Sequence, residues 1–219
     1  MCGISASFDI RKLKDLMDVN NARGQFSFSL MVIDTLTNQI IGQHKSFMDN
    51  RKHILNYYKN VDNEENLYYI SHSQAPTSDT GLNMQFDRIH PATFKQSHLY
   101  HNGIIKDFGI DILQKTTMDY TNTWDTSLLL KSICKTNLDI LNYLSGSFAC
   151  VLINLDGLFV FRNKSSILYY DDDLNISSSN FNGEMIELDS NQVFKLDLEA
   201  SRLVKHYQFN SPDNNYAFV

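Results

Sequence analysis

Proline, glycine and cysteine are all scarce in this chain, at 3, 9 and 3 of 219 residues. So little proline and glycine leaves no material for a long flexible linker. No internal repeat is evident either, so one domain over residues 1–219 is expected. The three cysteines, Cys2, Cys134 and Cys150, cannot pair completely and match no metal-ligand spacing. That count argues against a secreted disulfide framework and for a reducing cytoplasm. No apolar run approaches the roughly 18–20 residues of a membrane-spanning helix. The short apolar stretch after Met1 carries Asp9 and Arg11, unlike a signal peptide. Positive charge is also short: Lys+Arg 19 against Asp+Glu 25 gives −6, and Arg11-Lys12-Leu13-Lys14 is the densest basic group. Neither nucleic acid nor an anionic membrane is an expected partner. Both GxGxxG and GxxxxGK[ST] are missing, so no phosphate-cradling loop is indicated, and no cofactor or metal is expected.

What remains is an ordinary globular balance, 42% hydrophobic and 20% charged. Strand-like patterning dominates. Phe26 to Asp34 alternates and then turns continuously apolar, and Thr37-Asn38 offers a turn before a second strand over Gln39 to Ser46. Further strands are expected over Leu67–Ser71, Ser97–His101, Ser147–Leu155, Leu158–Phe161 and Val193–Leu198, with Asp156-Gly157 as a hairpin signal. Helical spacing marks Arg11–Asn20, Arg51–Tyr58 and Thr126–Lys135, with a short helix over Asp139–Leu144. Strands with helices grouped between them predict an α+β fold of stacked antiparallel sheets. Cys134 on a helical face and Cys150 in an apolar strand both read as core residues.

Cys2 stands directly after the initiator Met and before Gly3. Small residues at position 2 normally permit Met removal, which would leave Cys2 with a free α-amine. That amine, with a reference pKa near 7.7–8.0, is matched to a thiol near ~8.5 and can accept its proton. Gly3, lacking a Cβ, would let the backbone approach the reacting centre.

Several segments carry a resemblance. Met1-Cys2-Gly3-Ile4 resembles the start of class II glutamine amidotransferases, the N-terminal-nucleophile family that includes the glutaminase domains of glucosamine-phosphate synthase, phosphoribosylpyrophosphate amidotransferase and asparagine synthetase. Arg23-Gly24-Gln25-Phe26-Ser27 is similar to the family's Arg-Gly-x-Asp-Ser segment. Ile70 to Thr77 resembles its strand ending in His-Thr-Arg-x-x-Thr. Tyr100-His101-Asn102-Gly103 matches its His-Asn-Gly segment, and Trp124-Asp125-Thr126 its Ser-Asp-Thr. Weaker similarity runs through Leu144–Ala149 and Leu158–Tyr170.

The resemblance implies a four-layer αββα sandwich of two antiparallel sheets. It also implies that Cys2 attacks the side-chain amide of glutamine to form a thioester that water opens. Asn102 and the Gly103 N–H would stabilise the oxyanion. Asp125 would bind the α-ammonium, with Gln74, Thr77 and Arg23 at the substrate. Ammonia would pass to a separate synthetase or transferase chain. Read from residues alone, Asn102-Gly103 is equally a hairpin turn, Asp125 a helix-start residue, Arg23 a surface turn residue, and His72 and His101 strand histidines.

The chain departs from the pattern at four places. Gln74 stands where the family has the Arg that clamps the α-carboxylate, with Arg88 or Lys95 as substitute cations. Phe26 replaces the acidic residue, Ser29 a later Gly, and Asn163 the Asp of an Arg-Asp turn. Two alternatives therefore stay open: an N-terminal Cys hydrolase of another amide, or a catalytically silent binding module.

Overall fold

The computed structural model describes residues 2–47, 51–61, 66–75, 86–106 and 108–212, with only the backbone of residues 60 and 61. The chain forms two compact units and passes between them repeatedly. The first comprises Met1–His90, Leu168–Glu187 and Asp197–Arg202; the second comprises Pro91–Ile167, Leu188–Leu196 and Leu203–Val219.

The first unit is built on a seven-stranded sheet. Its strands are β1 (Gly3–Ser7), β2 (Ser27–Asp34), β3 (Gln39–Phe47), β4 (Leu67–Gln74), and the two-residue β9 (Tyr169–Tyr170), β10 (Ile176–Ser177) and β11 (Ile186–Glu187). Their order is β11-β9-β10-β1-β4-β2-β3, so the N-terminal strand is central and every pairing recorded within the sheet is antiparallel. Helices α1 (Ile10–Asn20) and α2 (Arg51–Val61) pack on one face. Ile10, Leu13 and Met17 of α1 and Leu55 and Tyr58 of α2 meet Phe28, Leu30 and Val32 of β2 and Tyr69 of β4. The i, i+3, i+7 spacing of the α1 residues makes that contact possible. Asp9 caps α1, its carboxylate accepting from the Arg11 N–H at 2.7 Å, an arrangement typically worth ~1 kcal/mol.

The second unit has a six-stranded sheet in the order β13-β12-β8-β7-β6-β5. The strands are β5 (Ala92–Phe94), β6 (Ser97–Ile105), β7 (Gly146–Asn154), β8 (Gly157–Arg162), β12 (Gln192–Asp197) and β13 (Arg202–Gln208). Helices α3 (Phe108–Thr117) and α4 (Asp125–Thr136) cover one face. Leu113, Leu129 and Ile133 pack there on Leu99, Phe148, Cys150 and Phe161. The opposite face of β7 is buried too, through Ala149 and Val151. Burial on both faces explains why β7 reads as a continuous apolar run and not an alternating one.

The fold class is α+β with two antiparallel sheets, as the strand-rich patterning predicts. Strands β1, β5, β9, β10, β11 and β13 were not expected from the sequence, and three further details differ. Residues 108–117 form a helix where none is expected, and the Asp139–Leu144 helix is a 3₁₀ turn over Asn137–Tyr143. Cys134 is exposed, not core. The buried stripe of α4 runs through Thr126, Leu129, Leu130 and Ile133, and the next position turns away with Lys135 toward solvent.

Candidate functional site

The candidate residues fall into two sets, one in each unit. Thr77 lies outside the described residues, as does Met1.

In the first unit, Cys2 leads into the central strand β1, which is held on both sides. The Ile4 N–H donates to Ser178 Oγ at 3.0 Å, and the Ser178 N–H returns a bond to the Ile4 carbonyl at 3.0 Å. Asn20, fully buried at the end of α1, donates from Nδ2 to the Ile4 carbonyl (3.1 Å), Ser5 Oγ (2.8 Å) and Ser177 Oγ (3.0 Å). A Cβ at position 3 would lie 2.7 Å from Asn20 Cβ. Gly3 therefore serves this bracket, where the sequence suggested closeness to the reacting centre. Arg23 follows α1 in a short 3₁₀ turn and donates from Nε to the Cys2 carbonyl at 3.0 Å. Burial lowers the Arg23 pKa from its ordinary value, with Cys2 and Tyr169 opposing that shift. It is half-buried within that turn. The Cys2 thiol points at the Ala75 carbonyl, 3.6 Å away, at the end of β4.

Gln74, the last residue of β4, is buried and its amide is engaged at both ends. Nε2 donates to the Arg88 carbonyl at 3.2 Å; Oε1 accepts from Ser27 Oγ at 3.2 Å and from the His90 N–H at 3.4 Å. His90 in turn stacks on His72, ring centroids 4.1 Å apart. Of the two substitute cations, Arg88 sits in the segment that Gln74 holds. Lys95 belongs to the other unit, exposed in the β5–β6 turn.

In the second unit, β6 carries His101, Asn102 and Gly103 in its interior, so Asn102-Gly103 is not a hairpin turn. Gly103 has φ +146°, and a Cβ there would overlap the Ser147 carbonyl oxygen and lie 2.6 Å from its carbon. Only glycine fits. Asn102 is buried, on the face of β6 opposite to its neighbour His101. His101 reaches α4, with Nδ1 and Thr126 Oγ1 3.1 Å apart, and its Nε2 lies 3.4 Å from the Ser147 carbonyl.

Asp125 is the first residue of α4. Oδ2 accepts the Ile105 N–H at 3.0 Å, Oδ1 accepts the Thr126 N–H at 2.7 Å, and His101 Nδ1 lies 3.7 Å from Oδ2. The carboxylate thus ties the end of β6 to the helix start, where the macrodipole favours negative charge. Asn163 locks the same region. Oδ1 accepts the Phe148 N–H at 3.1 Å, and Nδ2 donates to the Gly146 carbonyl at 2.9 Å.

Sequence reasoning missed Asn20, Ser178 and the bracketing role of Asn163. Each acts through partners distant in the chain, and no local pattern marks them.

The fold is similar to that of solved structures of longer chains. In particular, the chain is similar to glutamine phosphoribosylpyrophosphate amidotransferase from B. subtilis complexed with ADP and GMP, with a TM-score of 0.70 and 13% identity, covering 94% of this chain and 49% of that one. It is also similar to a structure described as the allosteric regulatory enzyme of purine biosynthesis, with a TM-score of 0.66 and 14% identity, covering 94% and 48%. The chain thus spans about half the length of each, and likeness at these identities establishes the fold alone. No protein-family model matches the sequence, and no curated protein matches it. Among the described residues no helix is long and apolar enough to cross a membrane, and no group of three or more His, Cys, Asp or Glu side chains could hold a metal ion.

Proposed function

We propose that this chain is a glutaminase-type amide hydrolase whose nucleophile is Cys2, freed by removal of Met1. The observation that carries the reading is the placement of Cys2 at the head of a central, doubly bracketed strand, in a fold similar to glutamine amidotransferases over 94% of the chain. The α-amine takes the thiol proton as Sγ attacks the amide carbon. The resemblance assigns the oxyanion donors to Asn102 and the Gly103 N–H, one such donor being worth about 2.7–4 kcal/mol. The C–N bond breaks as the amine passes the proton to the leaving nitrogen, releasing ammonia and leaving a thioester on Cys2. Water then opens the thioester to a carboxylic acid and restores the thiol. The resemblance assigns the substrate's ammonium group to Asp125, and Arg23 fixes the Cys2 backbone by its bond to the carbonyl. Ammonia passes to a synthetase or transferase partner.

The test is ammonia release from primary amides by purified protein whose N-terminal residue has been identified by mass spectrometry. Release that is lost in Cys2→Ala supports the reading. Met1 retained with no release would leave a silent binding module in its place.

A further inference from the structure

We infer that Asn20 is a positioning residue for the nucleophile: its buried amide fixes residues 4 and 5 of β1, and so holds Cys2 in one attacking geometry. The inference rests on Cys2 being the nucleophile and goes beyond it, because Asn20 stands in none of the motif-like segments.

The strand register sets Asn20 over a polar row. Ser5 pairs with Ser71 of β4 on one side and with Ser177 of β10 on the other. Directly opposed residues project to the same face of a sheet. That face is turned toward the end of α1, whose Asn20 amide reaches Ser5 Oγ and Ser177 Oγ at 2.8 and 3.0 Å. Elsewhere α1 meets the sheet through Ile10, Leu13 and Met17, so this amide is a polar exception in an apolar contact. Its two N–H groups serve three acceptors, while Oδ1 is buried with no hydrogen-bond partner among the described residues. An apolar side chain of similar volume would fill the space without leaving a buried oxygen unpaired. What the amide adds is direction: it fixes one arrangement of the strands around it.

Gly3 makes that direction matter. It separates Cys2 from the residues that Asn20 holds, and glycine has more backbone freedom than any other residue. A Cβ at position 3 would lie 2.7 Å from Asn20 Cβ and 3.1 Å from its Cγ, so the amide fits only beside glycine. The freedom this introduces is removed on both sides. Asn20 Nδ2 holds the Ile4 carbonyl at 3.1 Å, and Arg23, three residues on, holds the Cys2 carbonyl at 3.0 Å. Ser178 also binds Ile4, but from the neighbouring strand and therefore within the sheet, whereas Asn20 acts from the helix side. The end of α1 and the turn after it thus grip β1 at two points flanking Gly3. With one grip lost Cys2 can swing about Gly3, and a misplacement of about 1 Å can cost on the order of a hundredfold in rate.

The experiment measures kcat and KM for ammonia release from glutamine by Met-free full-length protein and by Asn20→Ala, Tyr58→Phe and Cys2→Ala. Asn20→Ala is expected to lower kcat by roughly ten- to a hundredfold with KM held within about threefold, as a misplaced reacting group requires. Tyr58→Phe controls for general loss of structure. It removes the 2.7 Å contact with His44 Nε2 on β3, which two strands separate from β1, and should leave kcat unchanged. Equal falls in the two variants, or an unchanged kcat in Asn20→Ala whether or not KM moves, would overturn the inference while leaving the amide hydrolase intact. Absence of Cys2-dependent release from the unaltered protein would instead remove the parent reading and this one with it. Should Asn20→Ala fail to fold, Ser177→Ala decides, since it keeps the asparagine and removes one of its anchors. There kcat should fall at least about threefold at constant KM, the effect of one hydrogen bond, and an unchanged kcat would overturn the inference.

Discussion

Replacing Gly103 with alanine separates two terms that the structure makes calculable. The backbone there has φ +146°, a region essentially closed to residues bearing a Cβ, and occupying it costs about 1–3 kcal/mol. The added methyl would also overlap the Ser147 carbonyl and come within 3.0 Å of His101 Nε2. Ser147 is backbone of β7, paired to β6 through eight residue pairs, so relief requires the two strands to move apart. Together the terms should reach roughly 3–5 kcal/mol, a large part of the 5–15 kcal/mol that holds a domain folded. Gly183 supplies the control. It has φ +76°, and a Cβ there would meet nothing within 4 Å, so Gly183→Ala isolates the backbone term at about 1–2 kcal/mol. Urea denaturation of both variants measures the difference. Equal losses in the two, or a loss below about 1 kcal/mol in Gly103→Ala, would refute the close approach of β6 to Ser147.

Other expectations follow from burial and charge. Cys150 is fully enclosed, and burial, with a smaller contribution from Asp125, pushes its thiol pKa well above the ordinary value. A maleimide should therefore modify exposed Cys134 in the native protein and Cys150 only on unfolding, as peptide mass mapping would show. The Asp119 pKa is lowered chiefly by its hydrogen bond from Lys131, at 2.7 Å. An acid lowered in the folded state contributes stability above its unfolded pKa, and loses it as pH falls through the folded value. Lys131→Met should hence narrow the stability difference between pH 6 and pH 3, read from denaturation midpoints at each pH. Asp9→Ala should cost ~1 kcal/mol through loss of the α1 cap.

How far the sequence reached depends on whether a residue acts locally. The β7–β8 hairpin was legible because a polar Asp156-Gly157 pair separates two apolar runs. Helix α4 was legible from its stripe, although the same stripe misplaced Cys134 by one step around the helix. Helix α3 was not, because Gly109 in its first turn and Thr116-Thr117 at its end are weak helix formers. Leu113, packed in the core of the second unit, supplies what propensity lacks. Among the candidate residues of the two units, Cys2, Asn102, Gly103 and Asp125 stand in motif-like segments. The brackets that hold them were not: Asn20 reaches Ser177 across 157 positions, and Asn163 reaches Phe148 across 15. Asparagine abundance alone says nothing about either. Gln74 stood out only as a departure, and its engagement with Ser27, Arg88 and His90 gives that departure a physical meaning.

The central claim is that Cys2, with a free amine, is the nucleophile, and covalent capture tests it most directly. The purified protein is treated with a diazo-ketone that mimics the substrate amide, weighed intact and mapped by peptide mass spectrometry. The account predicts one thioether adduct, on a Cys2 that has lost Met1, absent from Cys2→Ala and suppressed by competing amide. A protein that keeps Met1, or that is labelled only at Cys134, would contradict it.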